Sequence, residues 1–229
     1  ERKRVEVGLL PAEIRVKGFT EFERSYTEEE ALREARRCLS CTAGAFVDEA
    51  ACASCLNCVR ICPFGVARVE KTAVMPEERC QTCGICAAEC PAAAIALKRF
   101  QTDKMESEMA RFLKEAREKF ASQCLIVCFA CLYETTTRKT LYDGRSELLK
   151  QGINLIPIPC VARLSLPELL KPLALGADSV VIITCESEGC LYPGADSLLH
   201  KRVKRAKSLL EEIDVSPEKI DFWETTGSA

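Results

Sequence analysis

Hydrophobic and polar positions change rhythm twice along this chain of 229 residues. Residues 1–26 mix charge with scattered apolar positions around Pro11 and Gly18 and read as an extended arm. Thr27 and Glu30 then have capping-box spacing, and Ala31, Leu32, Ala35 and Cys38 continue on a helix that ends near Cys41. Between 42 and 100 the apolar runs are short: Val66–Val69 and Ala94–Leu97 each follow a Cys-Pro dipeptide and predict two brief strands. Over 104–121, Met105, Met109, Phe112, Leu113, Ala116 and Phe120 recur at helical spacing and predict a helix whose apolar face packs on a neighbouring domain. Beyond 124 the pattern alternates. Leu125–Cys128, Ile153–Ile158, Ser179–Thr184 and Ile220–Trp223 predict strands, with helices around 146–150, over 165–175 and over 195–213. Continuous apolar strands separated by helices predict a parallel sheet covered on both faces.

Cysteine changes this picture most. There are sixteen, and eight form one pattern written twice: Cys52, Cys55, Cys58 and Cys62-Pro63, then Cys80, Cys83, Cys86 and Cys90-Pro91, displaced by 28 residues throughout. This is the spacing of two-cluster bacterial ferredoxins, in which three close cysteines hold one cluster and the fourth ligates the other. The expected ligand sets are Cys52, Cys55, Cys58 and Cys90 for one 4Fe–4S cluster, and Cys62, Cys80, Cys83 and Cys86 for a second. Two zinc sites would leave the third close cysteine of each run idle. The small spacers Ala53, Ser54 and Gly84 let backbone amides approach the sulfurs.

Five further cysteines fall where strands end: Cys128 and Cys131, then Cys160, then Cys185 and Cys190. In a parallel sheet those ends share one edge, where open α/β sheets hold ligands, so the five are expected to converge. Four thiolates suffice for a 2Fe–2S cluster or, less favoured, a 4Fe–4S cluster; zinc, a redox-active dithiol or simple burial are the alternatives. Cys38 and Cys41 form half of another ligand set, an additional cluster site if completed elsewhere, and Cys124 reads as a buried thiol.

The fold class expected is therefore α/β plus α+β, a two-cluster ferredoxin-like module followed by a small doubly wound parallel-sheet domain. The boundaries are 1–43 for the arm and first helix, 44–100 for the ferredoxin module, 101–123 for a linker helix and 124–229 for the α/β domain. The net charge of −2 gives no general reason to bind nucleic acid. No apolar run approaches the roughly 20 residues of a membrane span, and no signal peptide is evident. Cysteine-rich runs among Lys- and Glu-rich helices suit metal ligation in a reducing cytoplasm. His200 reads as an exposed helix residue, and Trp223 as packing at the sheet edge. Lys201, Arg202, Lys204, Arg205 and Lys207 read as a solvated face or a docking patch for an acidic partner.

Residues 124–227 resemble the delta subunit of the methyl-viologen-reducing hydrogenase of methanogens. The resemblance is carried by Cys128-Phe129-Ala130-Cys131, Pro159-Cys160-Val161-Ala162-Arg163, Gly176-Ala177-Asp178-Ser179-Val180 and Cys185-x4-Cys190-Leu191-Tyr192-Pro193-Gly194. It departs from the family at Val161-Ala162, usually Ser-Gly, and at Glu186 and Leu191, usually histidines. The resemblance implies a 2Fe–2S cluster. It also implies electron passage between a hydrogenase or formate dehydrogenase and the flavin-bearing A subunit of heterodisulfide reductase. Residues 20–100, through Phe22, Glu29-Glu30-Ala31, Glu34–Cys41 and the cysteine repeat, resemble iron–sulfur segments of glutamate-synthase small-subunit-like flavoproteins. The chain has no Gly-x-Gly-x-x-Gly of its own, so a flavin is expected on a partner. The function expected is that of an iron–sulfur electron-transfer component, not catalytic alone, in an anaerobic complex of a flavoprotein and a catalytic oxidoreductase. The alternatives are a ferredoxin-fed thiol/disulfide reductase or a redox sensor using Cys128 and Cys131.

Overall fold

The computed structural model describes residues 4–35, 44–98, 100–119, 124–132, 144–185, 190, 192 and 194–225. The chain forms two compact units, Glu1–Cys41 and Thr42–Ala229. In the first, the arm doubles back on itself: Leu10 N–H donates to the Phe22 carbonyl at 2.8 Å and Arg24 N–H to that of Gly8 at 2.9 Å. A short helix, α1 (Ala12–Arg15), lies between these strands of chain. Helix α2 (Glu28–Ala35) starts at the expected capping box. Glu30 N–H donates to Thr27 Oγ1 at 3.3 Å, and Thr27 N–H to Glu30 Oε2 at 2.9 Å. Cys38 and Cys41 lie outside the described residues.

The second unit opens with the cysteine repeat. It contains β1 (Ala45–Val47), α3 (Asn57–Ile61), β2 (Arg68–Val69), β3 (Ala73–Val74), α4 (Ile85–Ala88) and β4 (Ile95–Leu97). β1 pairs antiparallel with β4, setting Ala45 opposite Leu97, and β2 with β3, setting Arg68 opposite Val74. Each copy thus lends one strand to each ribbon, which ties the two copies together. The backbone repeats as faithfully as the cysteines: left-handed residues occur in pairs 28 apart, Ser54 with Thr82, Leu56 with Gly84, and Gly65 with Ala93.

After helix α5 (Thr102–Lys119) come β5 (Ile126–Cys131), α6 (Arg145–Lys150), β6 (Ile153–Ile158), α7 (Leu166–Ala174), β7 (Ser179–Cys185), α8 (Ala195–Glu211) and β8 (Ile220–Thr225). The sheet is parallel throughout, in the order β6–β5–β7–β8. Val127, Phe129, Val180 and Ile182 bury one face with Leu113 of α5, Leu169 of α7 and Leu199 of α8. Cys128, Ala130 and Leu155 bury the other, where Leu148 of α6 packs. The first of these cores reaches into the cysteine repeat, taking in Ile61, Cys83 and Ile85.

Two minor expectations fail. Cys124 precedes the strand and is exposed rather than buried. Trp223 stands on the edge strand β8 but is 67% exposed, because nothing in the described chain covers that position.

Candidate iron–sulfur sites

Of the eight cysteines of the repeat, Cys58 lies on α3 and Cys86 on α4, and the other six lie on loops curved by the left-handed residues. Those turns bring amides onto sulfur. Val66 N–H donates to Cys62 Sγ at 3.4 Å, and at the equivalent point Ala94 N–H donates to Cys90 Sγ at 3.3 Å. Ala73 N–H reaches Cys52 Sγ at 3.4 Å. The Ala73 amide, with that of Ser54, holds the Cys52 thiol below its usual range. Burial pushes Cys62 up, but the amides of Ala67, Val66, Phe64 and Gly65 together outweigh it and leave this thiol lowered. Burial dominates at Cys58, Cys83 and Cys86, raising all three, Cys86 to about 12.

The later cysteines divide. Cys131, Cys160, Cys185 and Cys190 line one small pocket, with Val161, Ala162, Thr184 and Tyr192. Cys131 ends β5 and Cys185 ends β7, and their sulfurs are 3.1 Å apart. Cys160 follows Ile158, the β6 residue level with Cys131. β5 and β7 flank the point where the strand order reverses, the usual ligand crevice of an open α/β sheet. The hydrogen bond with Cys131, then burial, raises the Cys185 thiol, and burial raises Cys160.

Cys128 is not with them. The strand expected to stop there runs on to Cys131, and three steps along a strand reverse the face. Cys128 therefore lies among Ala130, Leu155 and Leu148 on the opposite side of the sheet, where burial pushes its thiol up to about 12. Convergence of five thiols is corrected to four.

The four-thiol pocket abuts the second cysteine loop. A side chain at Gly84 would place its Cβ 2.6 Å from Arg163 Cβ, so the arginine stem lies directly on the loop between Cys83 and Cys86. Phe64, two residues after Cys62, meets Tyr192, two after Cys190, edge to face at 5.6 Å. Arg163 and Glu168, each 5% exposed, pair at 3.2 Å. Arg163 also donates to the Phe100 carbonyl at 3.3 Å. Its Nε is the sole buried side-chain polar atom among the described residues without a hydrogen-bond partner.

Arg202, expected on a solvated face, is buried instead. It donates to Glu89 Oε1 at 2.6 Å, to the Ala162 carbonyl at 2.7 Å and to the Leu164 carbonyl. The signal was present, since Arg202 stands on the buried stripe of α8 with Leu199, Val203 and Ala206. The exposed reading of His200 holds; its ring stacks on Phe222 at 4.5 Å.

Among the described residues no three Cys, His, Asp or Glu side chains gather round a single ion. What fits iron–sulfur clusters is the donor chemistry: cysteine sets at ferredoxin spacing, amides on sulfur, and the buried Arg202 near the Cys160 thiol.

Comparison with known proteins agrees. Residues 126–228 match the family of the methyl-viologen-reducing hydrogenase delta subunit, and residues 45–91 match the 4Fe–4S dicluster domain. The two matches lie one after the other in a single chain. It is similar to the A subunit of heterodisulfide reductase and to a hydrogenase iron–sulfur subunit, and it spans about a fifth of the length of the former. The A subunit of the ferredoxin:CoB-CoM heterodisulfide reductase of Methanosarcina mazei is 31% identical over 180 residues, 77% of this chain but 22% of that protein. A match of that extent necessarily spans both the second cysteine run and the start of the delta-subunit domain. The vhu iron–sulfur D subunit of the F420-non-reducing hydrogenase of Methanopyrus kandleri is 24% identical over 103 residues, 45% of this chain and 78% of that one. Pyruvate synthase subunit PorD of Methanothermobacter marburgensis is 41% identical over 54 residues, 24% of this chain and 64% of the relative. Among the described residues no helix is long and apolar enough to cross a membrane.

Proposed function

We propose that this chain relays electrons in the reducing cytoplasm of an anaerobe. It would do so between a flavin-bearing partner resembling the A subunit of heterodisulfide reductase and a catalytic oxidoreductase such as a hydrogenase or formate dehydrogenase. Residues 44–100 and 124–229 are its two working modules, the latter a small doubly wound domain. Cys52, Cys55, Cys58 and Cys90 hold one 4Fe–4S cluster, and Cys62, Cys80, Cys83 and Cys86 the other. Cys131, Cys160, Cys185 and Cys190 hold a third, of 2Fe–2S type, at the sheet edge.

The observation that carries this reading is the abutment of the four-thiol pocket on the second ligand set, through Arg163 on Gly84 of its loop and Tyr192 on Phe64, two residues after Cys62. It gives the relay an order in which the site of Cys62, Cys80, Cys83 and Cys86 stands next to the third. The clusters supply one-electron chemistry when bound; the chain holds them, dries them and fixes their spacing. Anaerobically purified protein should contain well over eight irons, and Cys160→Ala should remove one paramagnetic signal while two persist. Eight irons or fewer in the unaltered protein sinks the third site.

The 3.1 Å contact of Cys131 with Cys185 favours a second reading, a thiol pair that attacks a disulfide fed by the ferredoxin module. Against it, nucleophilic thiols are exposed and acidic, whereas these are half-buried or buried, and the hydrogen bond with Cys131 and burial raise the Cys185 thiol. Trapping of Cys131 by an alkylating agent after reduction, with loss of turnover in Cys131→Ser, would support that reading instead.

A further inference from the structure

Glu89 and Arg202 form an ion pair in the wall between the cysteine sites. Arg202 Nε donates to Glu89 Oε1 at 2.6 Å. Its other nitrogens are spent on the carbonyls of Leu164 and of Ala162, the latter at 2.7 Å and two residues beyond Cys160. Glu89 precedes Cys90, and its own carbonyl accepts from Asn57 Nδ2 at 2.5 Å, Asn57 lying between Cys55 and Cys58. One run of hydrogen bonds thus joins the loop of the first ligand set, the residue before its fourth cysteine, and the turn that carries Cys160. Its Arg202–Glu89 link is ionic, and the arginine side chain is 10% exposed. The other charges packed near Arg202 are Glu168, already paired with Arg163, and the Cys160 thiol.

We infer that Arg202 and Glu89 shift the relative potentials of the sites they join, biasing electron passage from the ferredoxin module toward the Cys160 site. They act as positioning residues, through charge rather than ligation. The inference rests on the reading that Cys131, Cys160, Cys185 and Cys190 hold a cluster. Reduction adds negative charge to a buried centre, so a nearby cation favours the reduced form and a nearby anion the oxidised one, with little solvent screening. The pair is a fixed dipole: its positive end lies on the turn of Cys160, and its negative end is carried by Glu89, the residue before Cys90 in the chain. The potential of the Cys160 site is thereby raised and that of the Cys90 site lowered. Two grafted charges at one junction do what altered ligands would otherwise have to do.

The test is an anaerobic redox titration of the full chain, following each cluster by its paramagnetic signal, with iron counted in every sample. In Arg202→Gln the reduced-to-oxidised ratio of the third cluster at a fixed poise should fall about tenfold, a shift of about 59 mV for a one-electron couple. In Glu89→Gln the cluster that includes Cys90 should move the other way, toward easier reduction. Arg202→Lys, which keeps the charge, should restore most of the third cluster's midpoint. Opposite signs in the two neutralising variants, with iron unchanged, are what a merely structural role would not produce. Shifts of one sign in both, or none in either, overturn the inference while leaving the relay intact. A full chain without a third signal overturns the relay reading and this inference with it. If Arg202→Gln does not fold, the Glu89→Gln arm, at a less buried side chain, decides alone.

Discussion

Leu56 and Gly84 occupy the same place in the two cysteine loops, and both adopt left-handed backbone, at φ 64° and 81°. The loop geometry alone does not demand glycine, since leucine serves in the first copy. What differs is the surroundings: Leu56 is 44% exposed, whereas Gly84 faces Arg163 at a distance no Cβ tolerates. Gly84→Ala should therefore lower stability by about 1–3 kcal/mol in anaerobic denaturant unfolding, because the clash is with a buried stem. Leu56→Gly should cost under about 1 kcal/mol. Parity along β5 gives a second contrast. Cys128→Ala should leave the iron content unchanged, since Cys128 faces the α6 side of the sheet, whereas Cys131→Ala should lose the iron of the third site. Iron and sulfide assays of both variants check this.

At the scale of elements, the start of α7 carries more than its own helix. Ser165 accepts from Glu168 N–H at 3.4 Å, and Glu168 answers at Ser165 N–H at 2.8 Å, a capping box. The same carboxylate neutralises Arg163 and accepts from Thr102 Oγ1 at 2.9 Å at the head of α5. Removing it leaves a buried guanidinium unpaired, so Glu168→Ala should cost about 3–5 kcal/mol. Ser165→Ala, which loses the cap and one hydroxyl donor to Glu168 but leaves the ion pair, should cost about 1 kcal/mol. Urea unfolding of the two variants separates the roles. Capping chemistry was readable at Thr27 because cap and partner are three residues apart. The second duty of Glu168 was not, because it depends on which turn the sheet brings against α7.

For the whole molecule, the consequential fact is that the repeat and the α/β domain share a core. Ile85 is 1% exposed within the same apolar cluster as Leu113, Phe129 and Leu199, and Ile61 and Cys83 pack there too. Splitting the chain between them would uncover apolar surface and expose the ion pair of Arg202. Residues 42–229 should consequently unfold in one transition when followed both by cluster absorbance and by far-ultraviolet circular dichroism. Two separated transitions would show that the junction is weaker than its burial indicates.

By itself the sequence determined the ligand sets expected of the ferredoxin repeat, the strand–helix alternation and the edge of the sheet where Cys131, Cys160, Cys185 and Cys190 gather. These follow from spacing and periodicity, which act over a few residues and are written in the chain. It overcounted the third site, although period-two parity of β5 was enough to set Cys128 aside once the strand was carried through to Cys131. Only the tertiary structure decided that this site meets the second ferredoxin loop, that glycine is required at position 84, and that Arg202 is an interior cation. Those depend on which surfaces are brought together by residues far apart in the chain. Packing and charge act there through space and leave no periodic trace.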